Sequence, residues 1–323
     1  MNLAIRQLGE FNKIFMDQNK RYPLVIIGAG PAGLAASIYA SRFGVENIIL
    51  GALLGGQISE THHIDNYPGM EDMTGFEFSQ KWGNHVKKYG TEIAPVMVYS
   101  IKKEGEEFEI AYDQKKVVKA KAILLATGTK RRKLGIIGEE KLSGKGISYC
   151  ATCDGFFYKN KTVAVIGGSD SAAGAAAYLA EISEKVYLIY RGEKLRAEQH
   201  WINLIEKNPK IEVVYKTNVT EAVGENKLEK IKLDNLYDGK DEIAVGGLFI
   251  EAGSDPNVDF AEQLNVDMED GYIKINSDCS TSLPGVWAAG DITNGSDKFR
   301  QVITAASEGA IAARSISKYL KAN

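Results

Sequence analysis

Twice in this chain a short apolar run ends in a glycine turn and passes at once into an alanine-rich stretch. The first run covers residues 22–27 and turns at Gly28-Ala29-Gly30-Pro31-Ala32-Gly33 into a helical stretch at 31–42, with a further apolar run at 47–50. The second covers 162–166, turns at Gly167-Gly168-Ser169-Asp170-Ser171-Ala172, stays helical through Ala180, and is followed by 186–189. Apolar runs this short suit strands buried on both faces, and strand–turn–helix–strand is the βαβ unit of parallel sheets. At 323 residues the chain is also too long for one ordinary core. The expected class is α/β, with two Rossmann-like, doubly wound, three-layer nucleotide-binding domains.

In the first turn Gly28 permits the tight bend, Gly30 lets the backbone approach a pyrophosphate, and Gly33 lets the helix pack on the strand. Phosphates would meet free N–H groups at the helix start, where the dipole favours negative charge. The acidic residue that normally holds a ribose after the next strand is missing, because Leu50 runs into Gly51-Ala52. Gly55-Gly56-Gln57 offers a substitute cradle. Asp65-Asn66-Tyr67-Pro68-Gly69 makes a turn presenting the Asn66 amide, and Gly290-Asp291 sets a carboxylate at a strand end. Judged singly, these are equally an ordinary turn and a helix cap.

Residues 98–118 alternate in part and predict a small antiparallel meander, with 123–126 a separate apolar strand closed by Thr127-Gly128-Thr129. Residues 211–250 alternate again. The end of the chain returns to the style of the first unit, with a buried strand at 286–289 and a helix at 303–319. The economical partition is an N-terminal extension at 1–21, a split domain at 22–129 and 256–323, and an inserted domain at 130–255. In the extension, Leu3, Leu8, Phe11 and Phe15 could line one face of an amphipathic helix docked on the body.

A composition of 44% hydrophobic and 25% charged residues with a net charge of −3 is that of a soluble globular protein. No basic bias points to nucleic acid, and no apolar run reaches the roughly 18 residues that span a bilayer. Residues 1–22 carry charges throughout and lack the apolar core of a secretory signal. Three cysteines are too few, and odd in number, for a secreted disulfide scaffold. These features together predict a cytoplasmic protein.

Cys150-Ala151-Thr152-Cys153 is followed at once by Asp154. Two cysteines so spaced can close a small disulfide and open it to thiols, with an acid next door to manage the proton. Structural zinc is the competing reading. Against it, Cys279 is far along the chain, and His62, His63, His85 and His200 show no ligand spacing, so no metal is expected. Asp154 could alternatively cap the segment 155–158. Cys279 reads as a small structural residue. A dithiol between two nucleotide turns implies electrons passing between nucleotide cofactors and leaving through sulfur.

With these pieces in one order, the chain resembles the low-molecular-weight thioredoxin reductases from Tyr22 onward. The shared motifs are Gly-Ala-Gly-Pro-Ala-Gly at 28–33, Gly-Gly-Gln at 55–57, Asn-Tyr-Pro-Gly at 66–69, Ala-Thr-Gly at 126–128, Cys-Ala-Thr-Cys-Asp at 150–154, Ala-Ala-Gly-Asp at 288–291 and Arg-Gln at 300–301. The resemblance implies FAD in the split domain, held by Gly28, Gly30, Pro31, Ala32, Gly33, Gly55, Gly56, Gln57, Asn66, Thr127, Gly128, Gly290, Asp291, Arg300 and Gln301. It implies a nicotinamide in the inserted domain, on Gly167, Gly168, Ser169, Asp170 and Ser171. It further implies a homodimer and a thioredoxin- or glutaredoxin-like protein as acceptor. By the same pattern Cys153 faces the flavin, Cys150 opens the partner's disulfide through a mixed disulfide, and Asp154 shuttles a proton.

The second turn departs from that pattern. Ser169 stands where the family has a glycine, Gly174-Ala175 replace paired acids, and Tyr190-Arg191-Gly192 replace His-Arg-Arg. Arg191 and Arg196 could still clamp a 2′-phosphate, which favours NADPH over NADH; the alternative is that with Lys194 they form a solvated loop. The departures also motivate a ferredoxin or deazaflavin donor, or a small-molecule dithiol oxidase using oxygen; a separate non-enzymatic reading is a redox-inert flavin or nucleotide sensor with a metal-bound cysteine pair.

Overall fold

A computed structural model describes residues 20–61, 63–113 and 116–323; the apolar face proposed for Leu3, Leu8, Phe11 and Phe15 lies outside the described residues. The chain divides into two compact units, one gathering the residues up to Thr129 with Pro256–Asn323, the other Lys130–Asp255.

In the first unit the strands Glu92–Ala94, Asn47–Leu50, Arg21–Ile27 and Lys116–Leu125 lie side by side in that order, and Val286–Ala288 pairs with the far side of the last. Ile27 is in register with Leu50 and Leu125, and Leu125 with Ala288. The segments that follow these strands therefore emerge together, along the carboxyl edge where open α/β sheets bind ligands. Alternation divides the strand residues between two cores. Leu24, Ile26 and Leu124 pack with Ala35, Ala36, Ala312 and Ala313, on the helices Pro31–Arg42 and Val302–Ala322. Val25, Ile27, Ile123 and Leu125 pack on the opposite face with Ile101, Phe108 and Ile110 of the meander. The two helices approach closely: a Cβ on Gly309 would stand 2.1 Å from the Ala32 carbonyl oxygen.

The meander consists of Val98–Glu104, Glu107–Tyr112 and the first half of Lys116–Leu125, all antiparallel. Here the structure corrects the sequence reading, because 116–125 is one ten-residue strand rather than a meander strand and a separate run at 123–126. Lys119 and Lys121 look like a break in the apolar pattern. Lys119 instead pairs with Glu104 at 3.1 Å and Glu109 at 3.8 Å across the meander, so the strand runs on beneath it.

The second unit carries a five-stranded parallel sheet in the order Ile211–Tyr215, Lys185–Tyr190, Thr162–Ile166, Gly247–Ile250, Ile147–Ser148. Val163, Val165 and Leu188 pack on the helix Asp170–Ile182. Ala164, Ile189, Leu248 and Ile250 pack on the antiparallel strands Val219–Val223, Lys230–Tyr237 and Lys240–Ala244.

Both units thus have the α/β, Rossmann-like organisation expected from the tandem turns.

Candidate functional site

The first glycine turn is fixed by contacts that no side chain would tolerate. Gly28 has φ +118°, and a Cβ there would lie 2.0 Å from the Ala126 carbonyl oxygen; a Cβ on Gly33 would lie 2.0 Å from the Gly28 oxygen. Gly30 is different, because its Cβ would meet only the Gly55 oxygen, at 4.0 Å. The face of Gly30 is open where a phosphate would approach, and Pro31 and Ala32 begin the helix beyond it. Gly55 and Gly56 lie alongside: Gly55 N–H donates to the Ala29 oxygen at 2.8 Å, and both glycines have positive φ. Gln57, starting from this cradle, donates its amide to the Thr129 carbonyl and, at 2.7 Å, to the Thr129 hydroxyl. Thr127 and Gly128 lie on the neighbouring strand end, braced by Asn257 through Thr127 Oγ1 to its carbonyl at 2.7 Å and its N–H to the Gly128 oxygen at 2.9 Å.

The last strand brings the remaining candidates to the same edge. Gly290 packs against Ala32, 3.1 Å from where its Cβ would stand. Asp291 follows; burial pushes its carboxyl above the ordinary carboxylate range, opposed by the Arg300 charge and reinforced by Glu308. Arg300 lies over the Tyr272 ring at 4.4 Å, and its Nε is buried with no hydrogen-bond partner among the described residues. An unpartnered buried guanidinium nitrogen, a half-buried carboxyl and an open glycine turn fit a ligand carrying phosphates and hydroxyls. Asn66 donates to Gln301 Oε1 at 3.0 Å, joining two candidates 235 positions apart. Asp291 is not a helix cap, since Gln301 occupies that position for Val302–Ala322, with its N–H on Thr304 Oγ1 at 3.1 Å.

Sequence reasoning missed Glu308. This buried side chain accepts from Gly290 N–H at 2.8 Å, Thr293 Oγ1 at 3.0 Å and Ser296 Oγ at 2.6 Å, tying the Gly290–Asp291 turn to the C-terminal helix. Its signal was present: a lone acid on the helix face that otherwise carries Ala305, Gly309, Ala312 and Ala313. Cys279 donates to the Glu308 carbonyl at 3.4 Å, and burial pushes its thiol up to about 12. It is structural.

The second turn is more crowded. Gly167 has φ +145°, and a Cβ there would lie 2.4 Å from the Glu251 oxygen. Gly168 lies under the Tyr190 ring, 2.5 Å from where its Cβ would stand, and accepts the Arg196 N–H at 2.6 Å. Ser169 opens the helix without a side-chain cap, Ser171 lies in its first turn, and Asp170 is engaged by Glu198 N–H at 2.7 Å. Arg191 and Arg196 are exposed on the loop after Lys185–Tyr190. The ring of Trp201 packs on Gly174, in space an acidic side chain there would need.

Cys150 and Cys153 are joined in a disulfide. Cys150 precedes the short helix Ala151–Asp154, and its Sγ accepts the Cys153 N–H at 3.1 Å. Ser148 Oγ accepts the Cys150 N–H at 3.0 Å and donates to the Cys150 carbonyl at 3.2 Å. Asp154 ends that helix and makes no side-chain cap to Gly155–Tyr158, so the capping alternative does not hold. Phe156 and Phe157 follow with 72% and 70% of their surface exposed.

The pyridine nucleotide-disulphide oxidoreductase family matches residues 22–309. A thioredoxin reductase of Listeria innocua is 38% identical over 307 residues, covering 94% of this chain and 95% of the relative. One of Helicobacter pylori is 40% identical over 306 residues, covering 92% and 98%. The crystal structure of Lactococcus lactis thioredoxin reductase matches with a TM-score of 0.89 at 36% identity, over 94% of this chain and all of that one. This chain belongs to the thioredoxin reductases of the pyridine nucleotide-disulphide oxidoreductase family, and is a flavoprotein-type disulfide oxidoreductase.

Proposed function

We propose that the enzyme takes an electron pair from NADPH, carries it through FAD to the Cys150–Cys153 disulfide, and delivers it to a thioredoxin- or glutaredoxin-like protein. The observation that carries this reading is the disulfide itself, beside two exposed phenylalanine rings. Bound FAD would supply the electron pair that opens the disulfide. Gly28, Gly30, Pro31, Ala32, Gly33, Gly55, Gly56, Thr127, Gly128 and Gly290 would hold its phosphates and ribose by backbone approach, with Gln57, Asn66, Asp291, Arg300 and Gln301 as the side-chain contacts. The inserted unit would take NADPH at Gly167, Gly168, Ser169, Asp170 and Ser171, with Arg191 and Arg196 on the 2′-phosphate.

Once the pair is reduced, the Cys150 thiolate attacks one sulfur of the acceptor's disulfide. A mixed disulfide forms and the acceptor's other sulfur leaves as a thiol, taking a proton. Cys153, as thiolate, then attacks Cys150 Sγ; the disulfide re-forms and the acceptor departs with two thiols. The Cys153 N–H at 3.1 Å stabilises negative charge on Cys150 Sγ, and Asp154, next in the chain after Cys153, is assigned the proton traffic. Phe156 and Phe157 offer the acceptor an apolar landing. The same reading makes the enzyme a homodimer working in a reducing cytoplasm, supported by its family and its three cysteines.

A second reading keeps the dithiol and changes the donor to ferredoxin or a reduced deazaflavin. It is favoured by Ser169 at the pyrophosphate approach and by Trp201 on Gly174. Anaerobic stopped-flow mixing of the yellow protein with NADPH, NADH, reduced ferredoxin and reduced deazaflavin decides between them. Bleaching by NADPH within seconds is the expected result. Bleaching only by ferredoxin or deazaflavin selects the second reading, and no reduction by any of the four defeats both.

A further inference from the structure

The residue before the redox pair is anchored to a buried acid. Glu139, 2% exposed, accepts main-chain N–H groups from Leu134 at 3.1 Å, Gly135 at 2.6 Å and Ile136 at 3.2 Å. The Tyr149 hydroxyl also donates to Glu139 Oε1. Burial, followed by this bond to Glu139, pushes the Tyr149 phenol up, so it stays a donor throughout the working pH range. Cys150 comes next, its N–H and carbonyl bracketed by Ser148 Oγ. Main-chain and side-chain bonds thus hold the approach to Cys150 on both sides of Tyr149.

We propose that Glu139 and Tyr149 are positioning residues for the dithiol, clamping Cys150 so that the two sulfurs remain within bonding reach when the disulfide is open. The proposal rests on the relay reading of Cys150 and Cys153. A disulfide re-forms in proportion to the effective concentration of one thiol at the other. Loosening the Cys150 backbone lowers that concentration and leaves the disulfide easier to reduce. Among the described residues neither side chain hydrogen-bonds a reacting sulfur, so the effect appears in the dithiol equilibrium rather than as loss of a reacting group.

The test equilibrates the flavin-loaded protein in thiol–disulfide buffers of known potential and counts free Cys150 and Cys153 by alkylation and mass. Tyr149→Phe keeps the packed ring and removes only the hydroxyl. It is expected to shift the equilibrium toward the dithiol by three- to tenfold, a tenfold shift being about 30 mV. Glu139→Gln leaves one acceptor oxygen where the carboxylate has two, so either Gly135 and Ile136 or Leu134 and Tyr149 lose their acceptor, and it is expected to shift the equilibrium in the same direction. An equilibrium within twofold of the parent for Tyr149→Phe overturns the clamp. If the parent pair does not cycle between disulfide and dithiol at all, the relay reading fails; if the parent cycles and the variant is unchanged, only the clamp fails.

Discussion

The two glycine turns have the same local plan and opposite surroundings. At the first, Gly30 faces open space, with Gly55 and Gly56 flanking it and Arg300 Nε without a hydrogen-bond partner among the described residues. At the second, Tyr190 covers Gly168, the Arg196 N–H occupies the Gly168 carbonyl, Glu198 N–H occupies Asp170, and Ser169 adds a side chain at the approach. The same strand–turn–helix plan thus comes with different neighbours, open space over Gly30 at the first turn and an aromatic ring with a serine side chain at the second.

The sharpest way to break this comparison is to add a methyl group at each turn. Gly28→Ala places Cβ against the Ala126 carbonyl, at a φ that alanine rarely adopts. Backbone there has nowhere to go, and thermal unfolding is expected to show a loss of about 4 kcal/mol or more, with little flavin retained. Gly168→Ala meets the Tyr190 ring first, a side chain rather than backbone. A loss of about 1–3 kcal/mol is expected there. Equal losses would contradict the distinction between a backbone neighbour at Gly28 and a side-chain neighbour at Gly168.

Asp291 tests the ligand-facing side of the first turn. Asp291→Asn is expected to weaken FAD binding roughly ten- to a hundredfold, the worth of a charge-assisted hydrogen bond, read by flavin fluorescence on titration. Stability of the flavin-free protein should move the other way. Burial raises the Asp291 pKa, so its favourable contribution is full below the ordinary value of 3.8 and is lost as pH rises through the raised one. Flavin-free Asp291→Asn should then be more stable than the parent at neutral pH, and the two should converge below pH 3.8.

The smallest expected effect belongs to the second turn. Ser169→Gly restores an open approach and is expected to lower the KM for NADPH about three- to tenfold, while leaving reduction by ferredoxin unchanged. No change in KM would count against the side chain as the obstacle.

Much of the fold was legible because it is local. The runs at 22–27 and 162–166, with their turns and alanine-rich helices, announce themselves by periodicity and glycine alone. The strand 116–125 was not, since Lys119 looks like a break until it is seen paired with Glu104 and Glu109 on the other two meander strands. The dithiol is a contiguous motif and stood out. Glu308 and the Glu139–Tyr149 pair did not, because Glu308 bonds residues 12 to 18 positions back and Glu139 meets Tyr149 10 positions on, contacts that only the folded chain brings together. Asn66 and Gln301 could be named as candidates, but their hydrogen bond across 235 positions could not.

The most direct measurement follows the electrons to sulfur. The protein is reduced anaerobically by its donor, quenched with an alkylating reagent, and mapped by mass. Cys150 and Cys153 should each gain one group per electron pair delivered, while buried Cys279, its thiol pushed up to about 12, gains none. Continued delivery of electrons to thioredoxin with Cys150 and Cys153 both blocked would contradict the account.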